Sequence, residues 1–74
     1  MASAGKLIEK MQNQPHGIRM AEADKVLRHY GYRLDRQNGS HRQYINKFGD
    51  VITIKDEDPL KAVYVRSILS RIGK

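Results

Sequence analysis

The dipeptide Asn38-Gly39 is the feature of this sequence that most constrains the fold. It separates two segments in which side chains alternate in polarity, "YRLDRQ" before it and "SHRQYIN" after it. Asn-Gly favours the tight turn between antiparallel strands, and alternation is typical of a half-buried strand that would place Leu34 and Arg36 on one face. A second turn at "FGD" leads into the β-branched run "VITIK". The pattern therefore predicts three consecutive antiparallel strands.

Helical periodicity appears on both sides of these strands. "KLIEKMQ" predicts a short helix over about residues 5–13, ended by Pro15 and Gly17. "RMAEADKVLRHYGY" predicts a second helix that ends at Gly31, and "LKAVYVRSILSRIG" a third that ends at Gly73. Their apolar stripes are Met20, Ala23, Val26, Leu27 and Tyr30, and Val65, Ile68, Leu69 and Ile72. The order (α)-α-β-β-β-α predicts an α+β fold with helices on one face of a three-stranded antiparallel sheet and the other face available for a ligand.

Length and composition exclude several classes of protein. The 74 residues predict one domain over 1–74, with residues 1–17 as an N-terminal helical extension. The chain has no cysteine, so neither a disulfide nor a thiolate zinc site is expected, which suits a reducing cytoplasm. Its three histidines share no ligand spacing, and it has no glycine-rich phosphate loop. We therefore expect no metal, no small-molecule cofactor and, without a long apolar run, no membrane partner.

The net charge of +6 is concentrated in the middle of the chain. Residues 28–47 contain five Lys or Arg residues and one acidic residue, Asp35, whereas the acids gather in "KDEDP" at 55–59. A basic region on a small domain is typical of a protein that binds a polyanion. A solvated surface that keeps the protein soluble explains the charge equally well.

His41 follows the predicted turn and is the candidate for acid–base chemistry. RNA carries its own nucleophile, the 2′-hydroxyl, so a protein can cleave it by moving protons with an imidazole and stabilising phosphate charge with cations. The residues predicted to contact RNA are Arg36, Gly39, Ser40, Arg42, Lys47 and Lys55. Gly39 leaves the approach to His41 open, and the Ser40 hydroxyl can hydrogen-bond a phosphate. The alternative is that His41, like His16 and His29, is an ordinary surface residue.

Strand parity decides which side of the sheet His41 occupies. His41 and Ile45 share one face of the predicted second strand, and Arg42 and Tyr44 share the other. If Tyr44 is the buried residue, His41 faces away from the helices and is free to react. If Ile45 is buried, His41 works from the rim of the core. We favour the first arrangement.

The stretch "LRHYGYRLDRQNGSHRQY", followed by a hairpin and "YVRSILSRIG", resembles the HicA family of bacterial toxins, small mRNA interferases of type II toxin–antitoxin systems. The resemblance runs from Arg19 to Gly73. Its most specific feature is "GSH" at residues 39–41, at the start of a strand and about ten residues after a helix that ends in "GY". The resemblance implies a double-stranded-RNA-binding-domain-like fold of order α-β-β-β-α, to which this chain adds a short N-terminal helix.

The same resemblance implies a function. Members of the family would cleave mRNA without a metal, with the motif histidine, here His41, essential. A cognate HicB-type antitoxin would bind the toxin and block its active site. One branch of the family carries "VPxH" after the third strand, whereas this chain has "IKDE" at 54–57. No second imidazole is available there, so Lys55 or a water remains for the other proton transfer.

Two other functions fit the same residues. The first is a non-catalytic double-stranded RNA-binding module, against which the acidic opening "DEDPLKAVYV" of the last helix argues because acids repel phosphates. The second is an interaction protein whose basic face binds an acidic partner. RNA cleavage by wild type and by a His41→Ala variant distinguishes the enzyme from the module.

Overall fold

The computed structural model describes residues 3–74, which form three helices and three strands. In chain order they are α1 (Ala4–Asn13), α2 (Met20–His29), β1 (Arg33–Asn38), β2 (His41–Ile45), β3 (Val51–Lys55) and α3 (Ala62–Ile72). The first two residues of the predicted extension over 1–17 lie outside the described residues. The order confirms the α+β fold, which fits a double-stranded-RNA-binding-domain-like arrangement with an additional N-terminal helix.

Local signals set the ends of the helices. Ser3 precedes α1, and its hydroxyl accepts the N–H of Lys6 at 3.3 Å. Gly31 and Gly73 follow α2 and α3 with φ angles of 86° and 77°, a left-handed conformation that glycine adopts without a Cβ clash. Both glycine terminators predicted from the sequence are therefore confirmed.

The start of α2 is tied to the loop before α3. The Glu22 carboxylate accepts the N–H of Arg19, and the Asp58 carboxylate accepts the N–H of Met20, both at 2.9 Å. These negative charges lie at the positive end of the helix dipole, where they stabilise the helix. Glu22 also binds Lys10 of α1 at 2.8 Å. Three segments of the chain are therefore joined at this helix end.

The helices bury one face of the sheet. Tyr44 of β2 is fully buried, and Ile52 and Ile54 of β3 are buried beside it. Ile45 is only partly buried, so Tyr44 is the inward residue of β2 and the favoured parity is confirmed. The buried helical residues in the same core are Leu7, Ile8, Met11, Met20, Ala23, Val26, Leu27, Val65 and Ile68.

The sheet is antiparallel throughout, in the order β1-β2-β3. The first hairpin is confirmed, but its turn lies one residue later than Asn38-Gly39. Asn38 pairs with His41, so Gly39 and Ser40 form the two-residue loop. Gly39 has a φ of 61°, and no non-glycine residue within 3–74 has a positive φ. This sign pattern is that of a type II′ turn rather than the type I′ turn typical of Asn-Gly.

A β-bulge at Asp35 changes the face on which the first residues of β1 lie. Leu34 pairs with Tyr44 and Arg36 pairs with Gln43, so Asp35 has no partner of its own. Because directly paired residues share a face, Leu34 faces the helices and Arg36 faces the opposite side. The prediction that Leu34 and Arg36 share a face is wrong. Strict alternation fails where a strand contains one unpaired residue.

The helices are short. The longest, α3, has 11 residues, whereas a helix needs about 20 apolar residues to cross a bilayer. Within residues 3–74, no helix combines the length and the apolar character of a membrane span.

Candidate functional site

The face of the sheet turned away from the helices carries three residues from each strand, nine in all. They are Arg33, Arg36 and Asn38 of β1, His41, Gln43 and Ile45 of β2, and Val51, Thr53 and Lys55 of β3. We call this surface the open face. None of the nine residues is acidic and none is buried. The open face is therefore accessible and positively charged.

His41 is the first residue of β2 and is exposed on the open face. Its paired residues are Asn38 on β1 and Lys55 on β3. Since paired residues have Cβ atoms about 4.5–5.5 Å apart, an amide and an ammonium group flank the imidazole. The Lys55 ammonium lies 3.9 Å from the Glu57 carboxylate, at the outer limit of an ion pair. Within residues 3–74, no group of His, Cys, Asp or Glu side chains is arranged to hold a metal ion.

Arg36 lies between the turn and the bulge, on the same face as His41. Arg36 pairs with Gln43, which lies two residues along β2 from His41. Long side chains span such a diagonal between neighbouring strands. In the part of the chain that the structure describes, Arg36 forms no salt bridge. Its guanidinium is available to an anion.

In the turn before His41, Gly39 has free space around it and Ser40 is held by a backbone hydrogen bond. No atom lies within 4 Å of the position that a Cβ would take on Gly39. Ser40 is exposed, and its carbonyl oxygen accepts the N–H of Asp56, the residue that follows β3. The backbone directly before His41 is therefore held by the end of the neighbouring strand.

Arg42 lies on the side of the sheet opposite His41. We call this side, which packs against the helices through Tyr44, Ile52 and Ile54, the covered face. Its Nε and Nη2 donate to Oδ2 of Asp56 at 3.2 and 3.0 Å, and its Nη1 donates to the Tyr44 hydroxyl at 3.4 Å. The Arg42 side chain is 24% exposed. The structure thus engages Arg42 within the protein and does not place it beside His41.

A hydrogen-bonded network continues from Tyr44 to α2. The Tyr44 hydroxyl donates to Oδ1 of Asp24 at 2.5 Å, and Nε of Arg28 donates to Oδ2 at 2.9 Å. Burial favours the neutral form of Asp24, but the hydrogen bonds from Tyr44 and Arg28 outweigh it and lower the pKa of Asp24. Burial, followed by the bond to Asp24, raises the pKa of Tyr44. Tyr44 therefore stays neutral beside a charged carboxylate, and β2 is tied to α2.

Sequence reasoning missed Asp24 and Asp56 as structural partners of the site. Helical periodicity places Asp24 on the solvent side of α2, and its spacing of four residues from Arg28 was the one available signal. Asp56 is 14 residues from Arg42 in the chain. Nothing local in the sequence indicates that contact, because it forms only when β2 and β3 pair.

Lys47 lies in the β2–β3 turn, beyond the end of β2 opposite His41. β2 has five residues, which span roughly 17 Å at about 3.4 Å per residue. The Lys47 ammonium lies 5.2 Å from the centroid of the Phe48 ring. The structure therefore places Lys47 away from His41. The predicted RNA contacts that lie near His41 are Arg36, Ser40 and Lys55.

The acidic segment before α3 does not belong to the helix. Asp56 binds Arg42, and Asp58 accepts a hydrogen bond from the start of α2. α3 begins at Ala62 and has no acidic residue in its first turn. The expectation of an acidic opening to the last helix is wrong, because the acids precede it. They give no reason to exclude duplex RNA.

A comparison with protein families places the site in context. The family model described as the HicA toxin of bacterial toxin-antitoxin matches residues 20–74. This range begins at the first residue of α2 and includes the whole sheet and α3, so it contains every residue of the open face. No curated protein and no solved structure matches the chain.

Proposed function

Since the chain belongs to the HicA toxins of bacterial toxin–antitoxin systems, we propose that it is a metal-independent endoribonuclease that cleaves mRNA. The observation that carries the proposal is the open face, where His41 lies exposed between Asn38 and Lys55 and where none of the nine strand residues is acidic. An imidazole in a cationic setting suits proton transfer at a phosphate diester. Family membership supports the role of toxin.

The proposed reaction uses the nucleophile of the substrate. The 2′-oxygen of a ribose loses its proton and forms a bond to the adjacent phosphorus, and the bond from phosphorus to the 5′-oxygen breaks. The leaving 5′-oxygen takes up a proton, so the products are a cyclic phosphate and a free hydroxyl. His41 performs one of the two proton transfers, and Lys55 or a water performs the other. Lys55 and Arg36 stabilise the charge on the phosphoryl oxygens, and the Ser40 hydroxyl orients the phosphate.

Arg42 and Lys47 are assigned to RNA farther from the bond that breaks. An RNA contact by Arg42 stays a prediction, and it requires the guanidinium to share its bonds with Asp56. Lys47 would bind a phosphate near the opposite end of β2. Both residues would contribute to affinity more than to the chemical step.

A toxin of this family has a cognate antitoxin, and we propose that a HicB-type protein covers the open face in the cytoplasm. The basic residues would then serve both RNA and the antitoxin. Binding of one should exclude the other, which a cleavage assay on the saturated complex measures. Full RNA cleavage in that complex would contradict the shared surface.

The His41→Ala variant tests the catalytic assignment, with His29→Ala as the matched control. His29 lies at the end of α2, where its ring contacts Tyr30 edge-on at 5.3 Å. We expect His41→Ala to lose cleavage by about 100-fold or more and to relieve growth arrest, while His29→Ala behaves as wild type. A chelator is present throughout, and circular dichroism verifies folding. Equal cleavage by His41→Ala and wild type would refute the assignment.

A non-catalytic double-stranded RNA-binding module is the second candidate. The fold and the acid-free first turn of α3 favour it. In this case, wild type and His41→Ala would both bind duplex RNA with similar affinity, and neither would cut it. A mobility-shift assay run beside the cleavage assay separates the two functions.

A further inference from the structure

We propose that the β2–β3 turn is a stacking subsite for an unpaired RNA base, with Phe48 as the stacking residue and Lys47 as its phosphate contact. The inference rests on the proposed function, since the same RNA strand would extend to His41, and it names the substrate class as single-stranded RNA. Bases within a duplex are covered on both faces by their neighbours. An aromatic side chain can therefore stack only on a base that is unpaired and splayed out.

Phe48 is an exposed aromatic residue on an ordered turn. It is 84% exposed, more than any other large apolar side chain within residues 3–74. The Asn46 side-chain oxygen accepts the N–H of Phe48 at 3.0 Å and that of Asp50 at 2.9 Å. The Asn46 N–H in turn donates to the carbonyl oxygen of Asp50 at 3.1 Å. The turn is thus already ordered, so a ligand does not have to offset the entropy of ordering it.

The surroundings of Phe48 are cationic. The Lys47 ammonium lies 5.2 Å from the ring centroid. Arg33, at this end of the open face, has a side chain that is 68% exposed and lies 3.8 Å from the Asp35 carboxylate, at the outer limit of an ion pair. The one acid of the turn, Asp50, accepts hydrogen bonds from Tyr32 and Arg71. Charge complementarity therefore favours a polyanion, and the aromatic ring favours a polyanion that carries bases.

A strand of RNA has a continuous path between Phe48 and His41. Ile45 and Val51 pair with each other at the end of the open face next to the turn, and Val51 is 41% exposed. β2 spans roughly 17 Å at about 3.4 Å per residue, so the stacked base would lie several nucleotides from the phosphate that is cut. The two ends of the face thus have different roles, chemistry at His41 and base contact at Phe48.

Fluorescence tests stacking directly. Phe48→Trp in a His41→Ala background has a single tryptophan, because the chain contains none, and it leaves the RNA uncut. We expect single-stranded oligoadenylate to quench the tryptophan emission. A duplex of equal length and an abasic strand of equal charge should not quench it. Equal quenching by the abasic strand would overturn the subsite, since phosphates alone would then explain binding.

Kinetics test the contribution of the subsite to cleavage. With a single-stranded oligoribonucleotide, we expect Phe48→Ala to raise KM about tenfold with kcat retained, and Phe48→Tyr to restore KM. Val63→Ala is the control, because it removes another exposed apolar side chain, 63% exposed, on α3. An unchanged KM in Phe48→Ala overturns the proposal. If the wild type cuts no RNA but the tryptophan is quenched selectively, the subsite stands and the nuclease fails.

Discussion

The two faces of the sheet are built from the same three strands, but they differ in how their charges are satisfied. On the covered face, Arg42 binds Asp56, and Asp24 binds both Tyr44 and Arg28 around an apolar core. Each of these charged groups has a partner within hydrogen-bond distance. Burial makes this necessary, since a partly buried charge without a partner is costly.

On the open face the charges are satisfied loosely or not at all, and Arg33 lies 3.8 Å from the Asp35 carboxylate. Arg36 forms no salt bridge among residues 3–74, and Lys55 lies 3.9 Å from its nearest carboxylate. Solvated charges of this kind contribute little to folding. The comparison teaches that the covered face maintains the fold and that the open face is the surface available to a polyanion.

Adjacent residues of β3 give the largest expected contrast between the faces. Ile54 is fully buried on the covered face, and Thr53 is exposed on the open face. We expect Ile54→Ala to lower the free energy of unfolding by about 2–5 kcal/mol, because it removes apolar contacts and leaves a cavity. Thr53→Ala should lower it by less than about 1 kcal/mol. Denaturant unfolding measures both, and similar losses would contradict the assignment of the faces.

The Tyr44 hydroxyl tests the network of the covered face. Tyr44→Phe removes the donor to Asp24 and the acceptor for Arg42, so we expect a loss of about 1–3 kcal/mol in the free energy of unfolding. Tyr64→Phe is the control, since the Tyr64 hydroxyl forms no hydrogen bond within the described chain and should change stability little. Equal stabilities of the two variants would mean that the network does not stabilise the fold.

Salt dependence compares an arginine from each face. In a His41→Ala background, Arg36→Gln should reduce the slope of log binding constant against log salt by about 0.7 for single-stranded RNA, because one phosphate contact is lost. Arg42→Gln should reduce the slope by less and should also lower stability, because the Arg42 guanidinium shares its bonds with Asp56. RNA titrations at several salt concentrations measure the slopes. The reverse result would move the RNA contact to the covered face.

The smallest expected effect is a loss of stability in acid, which arises from two carboxylates of α2. Asp24 and Glu22 have pKa values lowered from 3.8 and 4.5 in the folded protein. The hydrogen bond that the Lys10 ammonium donates, followed by that of the Arg19 N–H, lowers the pKa of Glu22. The unfolded chain therefore binds more protons below the ordinary pKa values, and stability that is present near neutrality is lost as pH falls from those values through the lowered pKa values of the folded protein. Unfolding midpoints at pH 7 and pH 3 measure the loss, which should shrink in Tyr44→Phe. A midpoint that rises on acidification would contradict the pKa directions.

Much of the fold follows from local patterns in the sequence. Gly31 and Gly73 end their helices, and β3 matches the predicted run "VITIK" because these signals act within a few residues. Alternation along β2 fixes the faces of all its residues once Tyr44 is known to be buried. The sequence favoured this arrangement, which exposes His41, but the alternative with Ile45 buried stayed open until the structure showed Tyr44 in the core. The catalytic role of His41 stays a prediction.

The rest depended on contacts between distant residues. The turn at Gly39-Ser40 shifts the pairing of β1 by two residues and the bulge at Asp35 shifts it by one, and neither has a decisive sequence signal. The bulge turns Leu34 into the core, while Arg36, between the bulge and the turn, stays on the face of His41. A pattern of alternation cannot show this, since pairing registers are chosen by the core as a whole.

The amino-acid sequence by itself determined the order of helices and strands and the basic character of the central region, because periodicity and turn chemistry are local. Only the tertiary structure decided which cations share a surface. It set Arg36 and Lys55 beside His41, engaged Arg42 with Asp56 on the other side and left Lys47 with Phe48 at the far end. The physical reason is that strand register and ion pairing are settled by burying Tyr44 and its neighbours, across distances in the chain that no local pattern spans.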